Sequence, residues 1–205
     1  MVHRIEMDEL ISCNEDSCFM EAAYDYMIHT SEKAKAIHGA LVEASEKLYR
    51  ALPEEAHPRQ EALNGVFAEL EDLTFLCAHG CGLLLASKMA LRAALPPLTE
   101  GLNNLIGIPT LYQNPHFVEA RTRVEQTLRA LKDDFPACGQ LVDRVITLNY
   151  DLFGRQIGYD FLFGLEYGMT LYKMMDALKQ EDEPYIAQIY RLVEETTPLE
   201  EGFGR

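Results

Sequence analysis

This chain has no tryptophan, so its aromatic packing falls to 10 tyrosines and 9 phenylalanines. Basic residues are scarce as well. Lys and Arg number 18 against 33 Asp and Glu, a formal net charge of −15 over 205 residues. Binding a phosphate backbone requires cationic side chains that displace its counterions, and a field of this sign repels nucleic acid and anionic lipid alike. Both direct nucleic-acid binding and membrane binding are disfavoured on that ground. A protein that occupies another protein's nucleic-acid site is allowed, because acidic side chains offer a basic groove the same charge that phosphates do. Cysteines are few and odd in number: Cys13, Cys18, Cys77, Cys81 and Cys138. A chain of this length with an odd count does not carry a disulfide framework. Cys77 and Cys81, four residues apart, share a helix face but lack the two further ligands that a zinc site needs. His79 lies between them and points elsewhere on the helix.

Other signals are missing too. Met1 to Asp16 alternates charged and apolar residues and contains no continuous apolar core, so it does not read as a signal peptide. The expected compartment is the reducing cytoplasm. No segment alternates apolar and polar residues with the period of a strand. There is no Gly-x-Ser-x-Gly, no P-loop and no dinucleotide fingerprint. Ser87 and His79, eight apart on a helix, cannot meet as nucleophile and base. Glu54 and His57 form a single Glu-x-x-His across a proline-rich turn, whereas a di-iron bundle needs two such motifs and further glutamates. Glu21, Asp25 and His29 form a polar stripe at helical spacing.

What is present is helix. Proline and glycine divide the chain into segments with apolar residues at helical spacing. Helices are predicted at residues 7–13, 17–29, 31–52, 59–95, 116–135, 138–179 and 185–195. Pro96 and Pro97 are expected to stop the fourth, and Glu181 to Pro184 to break the sixth. The stretch from Leu73 to Leu91 is apolar nearly all round and is expected to be a central buried helix rather than a membrane span. The predicted fold is all-α: a helical bundle of two related hairpins, with residues 1–97 and 116–205 as halves and 98–115 as connector, in one compact domain.

The relation between the halves is visible in landmarks. Arg50-Ala51-Leu52 precedes the acidic turn Glu54 to Pro58, and Arg129-Ala130-Leu131 precedes Asp133 to Pro136. Phe75-Leu76 leads to Gly82, Leu85 and Met89; Phe161-Leu162 leads to Gly168, Leu171 and Met175. Gly80, Gly82, Gly164 and Gly168 are expected where another backbone approaches closely. A mid-helix glycine costs about 1 kcal/mol of propensity, which tight packing must offset. The run Asp160 to Leu171 resembles a pattern in small helical proteins of bacteria and their mobile elements, one hairpin ending in Phe-x-x-Gly-x-x-x-Gly-x-x-Leu. That resemblance covers about a third of the chain and implies no activity.

Two sets of carboxylates carry possible chemistry. Glu43 and Glu46 form Glu-x-x-Glu on one helix, and Glu69 and Asp72 form Glu-x-x-Asp on the next. Each pair shares a helix face. If the two helices are antiparallel neighbours, four hard oxygen ligands converge, as Mg²⁺ requires. The arrangement resembles the MazG-type all-α nucleoside triphosphate pyrophosphatases, which implies Mg²⁺-dependent hydrolysis with these four residues as ligands and catalytic groups. No basic or aromatic nucleotide contacts flank them, and the second half lacks both pairs. The other set crowds the chain ends: Asp8, Glu9, Glu15 and Asp16 near the start, with Glu181, Asp182, Glu183, Glu194 and Glu195 near the end. Such clusters can face a basic partner groove. The favoured reading is therefore a non-catalytic protein-binding protein without metal or cofactor. Within that class it is a phage or mobile-element inhibitor, of anti-CRISPR or anti-restriction type, that masks a partner's basic nucleic-acid-binding surface. The Mg²⁺-dependent pyrophosphatase and a structural helical homodimer are the alternatives.

Overall fold

Ser31 ends one helix and starts the next. Its hydroxyl accepts from the Ala34 amide at 3.3 Å, an N-cap that satisfies a donor the first turn leaves open. In a computed structural model, which describes residues 19–173 and 183–196, this cap separates α1 (Phe19–Thr30) from α2 (Glu32–Ala51). A short 3₁₀ turn, Glu54–Ala56, leads into α3 (His57–Ala90), with Pro58 in the first turn where its missing N–H costs nothing. Two four-residue helices follow, α4 (Leu102–Leu105) and α5 (Ile108–Leu111). Then come α6 (Pro115–Asp134), capped by Asn114, and after a 3₁₀ turn at Pro136–Cys138, α7 (Gly139–Lys173). The last helix is α8 (Glu183–Glu195). The described residues contain no strand, and the all-α expectation holds.

Several ends differ from expectation. α3 stops at Ala90, before the prolines, because Arg92 takes a left-handed conformation (φ 55°). The Ala93 amide then returns to the Lys88 carbonyl at 2.9 Å and closes the helix. α8 begins at Glu183, two residues before the expected start at Tyr185, since proline is tolerated in a first turn. The helix expected at residues 7–13 lies outside the described residues, as does the end expected for α7.

The two long helices, α3 and α7, make the largest contact in the molecule. They run parallel: Phe67 meets Tyr150 edge to face, Gly82 abuts Phe161 and Leu165, and Ala86 abuts Gly168. Each then carries the helix that precedes the other. α6 lies antiparallel along α3, where Arg123 holds Glu69 and Arg59 holds Asp134. α2 lies along α7, with the Cys138 thiol donating to the Ala51 carbonyl at 3.6 Å where α2 ends and α7 begins. α2 and α3, like α6 and α7, barely pack beyond their turns, so the two hairpins are interlocked. The apolar core is continuous from α1 to α8.

The glycine expectation holds in three places. A Cβ on Gly82 would collide with the Phe161 carbonyl, one on Gly164 with the backbone of His79, and one on Gly168 would sit 2.6 Å from the Ala86 Cβ. Gly80 is a correction: no atom of the protein lies within 4 Å of its added Cβ. The central position also differs. α7 is buried almost continuously from Leu152 to Met169, whereas α3 keeps one side open, with Leu76 70%, Leu84 56% and Leu91 76% exposed. Residues 54–90 are the one stretch among those described that is long and apolar enough to cross a membrane.

Candidate functional site

Because α2 leaves α3 to pack on α7, a cleft opens between them. It has a volume of about 510 Å³ and is lined from four helices. α1 supplies Glu21, Tyr24 and Asp25; α2 supplies Leu41. α3 contributes Asn64, Phe67, Ala68 and Glu71, and α7 contributes Asn149, Leu152 and Gln156. Carboxylates and amides thus stand over an apolar bed.

The polar groups become less satisfied with depth. Glu21 and Asp25 are exposed at the rim. The Tyr24 hydroxyl is 2.7 Å from His38 Nδ1, and its acidity is suppressed to about 12, first by burial, then by Glu71 and Asp25. Burial, then Asp72, pushes the Glu71 carboxyl above the ordinary glutamate range. Gln156 is 3% exposed, and its Oε1 has no hydrogen-bond partner among the described residues. One turn further along α7, Asp160 is fully buried, and among the described residues neither of its carboxylate oxygens is bonded. Burial, then the charge of Glu71, raises its pKa well above the usual value. Buried polar groups are ordinarily paired, so the Gln156 oxygen that lines the cleft is an acceptor that a donor entering it can reach. The bed of Leu41, Phe67, Ala68 and Leu152 suits an aliphatic stem.

The four carboxylates of the pyrophosphatase-like reading are elsewhere. Glu43 and Glu46 lie exposed on α2, bonded to Lys47 at 2.6 Å and Arg50 at 3.1 Å one turn on. The hydrogen bond from Lys47 holds the Glu43 carboxyl below the ordinary range. Glu69 accepts from Arg123 of α6 through both oxygens, at 2.5 and 2.6 Å, and Asp72 is exposed. The expected convergence required α2 and α3 to be packed neighbours, and the interlocked arrangement sends them to different partners. Among the described residues no three His, Cys, Asp or Glu side chains are grouped to hold a metal ion.

Of the acidic ends, Glu183 and Glu195 are exposed on α8, while Glu194 accepts a hydrogen bond from Tyr159 of α7. Asp8, Glu9, Glu15, Asp16, Glu181 and Asp182 lie outside the described residues. The α1 stripe is divided: Glu21 and Asp25 face the cleft, while His29 Nδ1 bonds the Asp25 carbonyl at 2.7 Å. Sequence reasoning passed over Glu71, Gln156 and Asp160. The signal was available for the last two, which stand with Arg155 and Glu166 as the polar residues of a largely apolar run from Leu152 to Met169. Cys77 and Cys81 pack beneath Gly107, and the Cys77 thiol lies 3.7 Å from the Gly107 carbonyl. No protein-family model, curated protein or solved structure matches the chain.

Proposed function

We propose that this protein is a non-catalytic binding protein that engages a basic partner, taking a Lys or Arg side chain of that partner into the cleft. The observation that carries the reading is Gln156, whose buried, unbonded acceptor lines the cleft beneath the carboxylates of Glu21, Asp25 and Glu71. An ammonium or guanidinium group supplies the donors these oxygens lack, and charge-assisted bonds of this kind are the stronger ones. A groove rich in such side chains ordinarily serves phosphates. An acidic protein seated in it excludes nucleic acid, which makes this chain an inhibitor, of the anti-CRISPR or anti-restriction kind carried by phages and mobile elements.

The test begins with nuclease-treated host lysate passed over the immobilised protein, and continues with kinetics on any basic nucleic-acid-binding protein retained. Association should be fast and should weaken as salt rises, because the Debye length falls from about 10 Å at 0.1 M to about 3 Å at 1 M. Reversing Glu21 and Asp25 to Lys should abolish binding and the block on nucleic acid. Reversing Glu54 and Glu55, exposed in the α2–α3 turn, should change little. Equal loss from both reversals, or an affinity indifferent to salt, removes the cleft from the explanation.

A further inference from the structure

Half of α3 is left largely uncovered by the described residues. The most apolar 18-residue window of residues 54–90 is only 33% buried within the molecule. α7 covers the inner face of α3 at Gly82, and α6 covers its N-terminal part. Left exposed is a row at intervals of four residues, Asp72, Leu76, Gly80 and Leu84, with half-buried Lys88 at its end beside Leu105. Leu76 and Leu84 are among the most exposed large hydrophobic side chains described, and Gly80 between them is exposed with open space above it. An apolar stripe of this kind on a soluble surface marks an interaction face.

The order of residues along the stripe identifies the occupant. Read backwards it presents Lys88, Leu84, Gly80, Leu76 and Asp72, so it is complementary to itself when reversed about Gly80. A second stripe laid antiparallel places Leu76 against Leu84 twice, glycine against glycine at the axis, and Asp72 against Lys88 at each end. Such a twofold, self-complementary contact is the commonest way that proteins form closed dimers. The absent side chain at Gly80 lets two helix backbones approach at the crossing, as Gly82 and Gly164 already do between α3 and α7. Two apolar grooves run beside the stripe, one by Leu84, Leu105 and Thr110, the other by Leu76, Leu111 and Pro115. They widen a contact whose axis spans about 24 Å at the helical rise. Charge points the same way. Between Asp72 and Lys88 the only ionisable residues are His79, turned toward Phe75 and Tyr167, and the two cysteines. Two copies of an acidic chain therefore approach here without setting like charges face to face. An anionic bilayer meets a chain of net charge −15 and is repelled.

We infer that the protein pairs with a second copy of itself through this outer stripe of α3, antiparallel about Gly80. The test is sedimentation over a concentration series at low salt, with the full chain. The parent should dimerise. Leu76→Glu with Leu84→Glu should give a monomer of unchanged helicity. Gly80 is exposed and a Cβ added there meets open space, so Gly80→Leu should leave folding intact while raising the dimer dissociation constant about ten-fold or more. Asp72→Lys and Lys88→Asp should each weaken pairing, and the two together should restore it, a rescue that only the antiparallel register produces. A parent monomeric at all concentrations, a dimer indifferent to Leu76→Glu, or a double swap without rescue overturns the proposal. So does a monomer that instead floats with phosphatidylcholine–phosphatidylglycerol vesicles. Cleft residues are absent from this stripe, so failure here leaves the basic-partner reading untouched, and the converse holds.

Discussion

The carboxyl group of Asp160 is wholly buried on the most enclosed part of α7, with no hydrogen-bond partner among the described residues. Burial is the first cause that raises its pKa. Glu71 adds a like charge from α3, and the ring of His79, whose own pKa is lowered by burial, bonds the Asp160 backbone carbonyl rather than compensating its side chain. The consequence for stability has a definite sign. A group whose folded pKa is raised holds, in the native state, a proton that the unfolded chain releases above about pH 3.8. Its stabilising contribution is full below that value and is lost as pH rises toward the folded pKa. Asp160→Asn has no such titration. Its urea midpoint should therefore gain on the parent between pH 4.5 and 7.5. A gap that stays constant over this range shows that Asp160 finds its counter-charge in the fold.

At the scale of elements, glycine decides which helix faces are inside. Gly82 and Gly80 are two residues apart on α3, yet one meets backbone and the other meets nothing. A substitution pair separates them. Gly82→Ala forces α3 and α7 apart against carbonyl and amide atoms that have no rotamer to yield. It should cost about 1–3 kcal/mol by overpacking. Gly80→Ala gains helix propensity and meets no obstacle, so it should stabilise by up to about 1 kcal/mol. Equal effects in chemical denaturation would mean that the crossing is not where the glycines place it. The helices themselves were legible in the sequence. Ser31 and Asn114 have the side chains that cap, and Pro58 and Pro115 sit in first turns. The end of α3 was not, because Arg92 is an ordinary residue in a left-handed conformation, and no local pattern announces that. Nor did apolarity alone reveal that α7, not α3, is the enclosed helix. Both are apolar on too many sides, and only the partners chosen by α1, α2 and α8 settle which is covered.

For the molecule as a whole, pairing between halves is what local pattern could not show, and it determines the site. Glu43 and Glu46 fail to meet Glu69 and Asp72 because α2 belongs spatially to the second half, and the same displacement opens the cleft between α2 and α3. The halves are thus distinct in sequence and inseparable in space. Neither long helix can bury its apolar faces using only the helix that precedes it. Residues 1–97 alone would leave α3 without the α7 contact at Gly82 and without α6, exposing Leu63, Phe67, Leu70 and Leu85, all buried in the intact protein. Residues 98–205 alone would strip α1, α2 and α3 from the most apolar stretch of α7. Each of those leucines or phenylalanines contributes about 1.5–3 kcal/mol when fully buried, while net stability for a domain is only about 5–15 kcal/mol. Each fragment expressed alone should therefore show weak helicity and a broad thermal transition or none. Mixed after refolding, the two should recover the helical signal of the intact chain and a single cooperative melt, because the connector at 98–115 contributes linkage while the interlocked helices contribute the core. A fragment that melts cooperatively by itself would show that one hairpin is self-sufficient and that the long-helix contact joins two finished units.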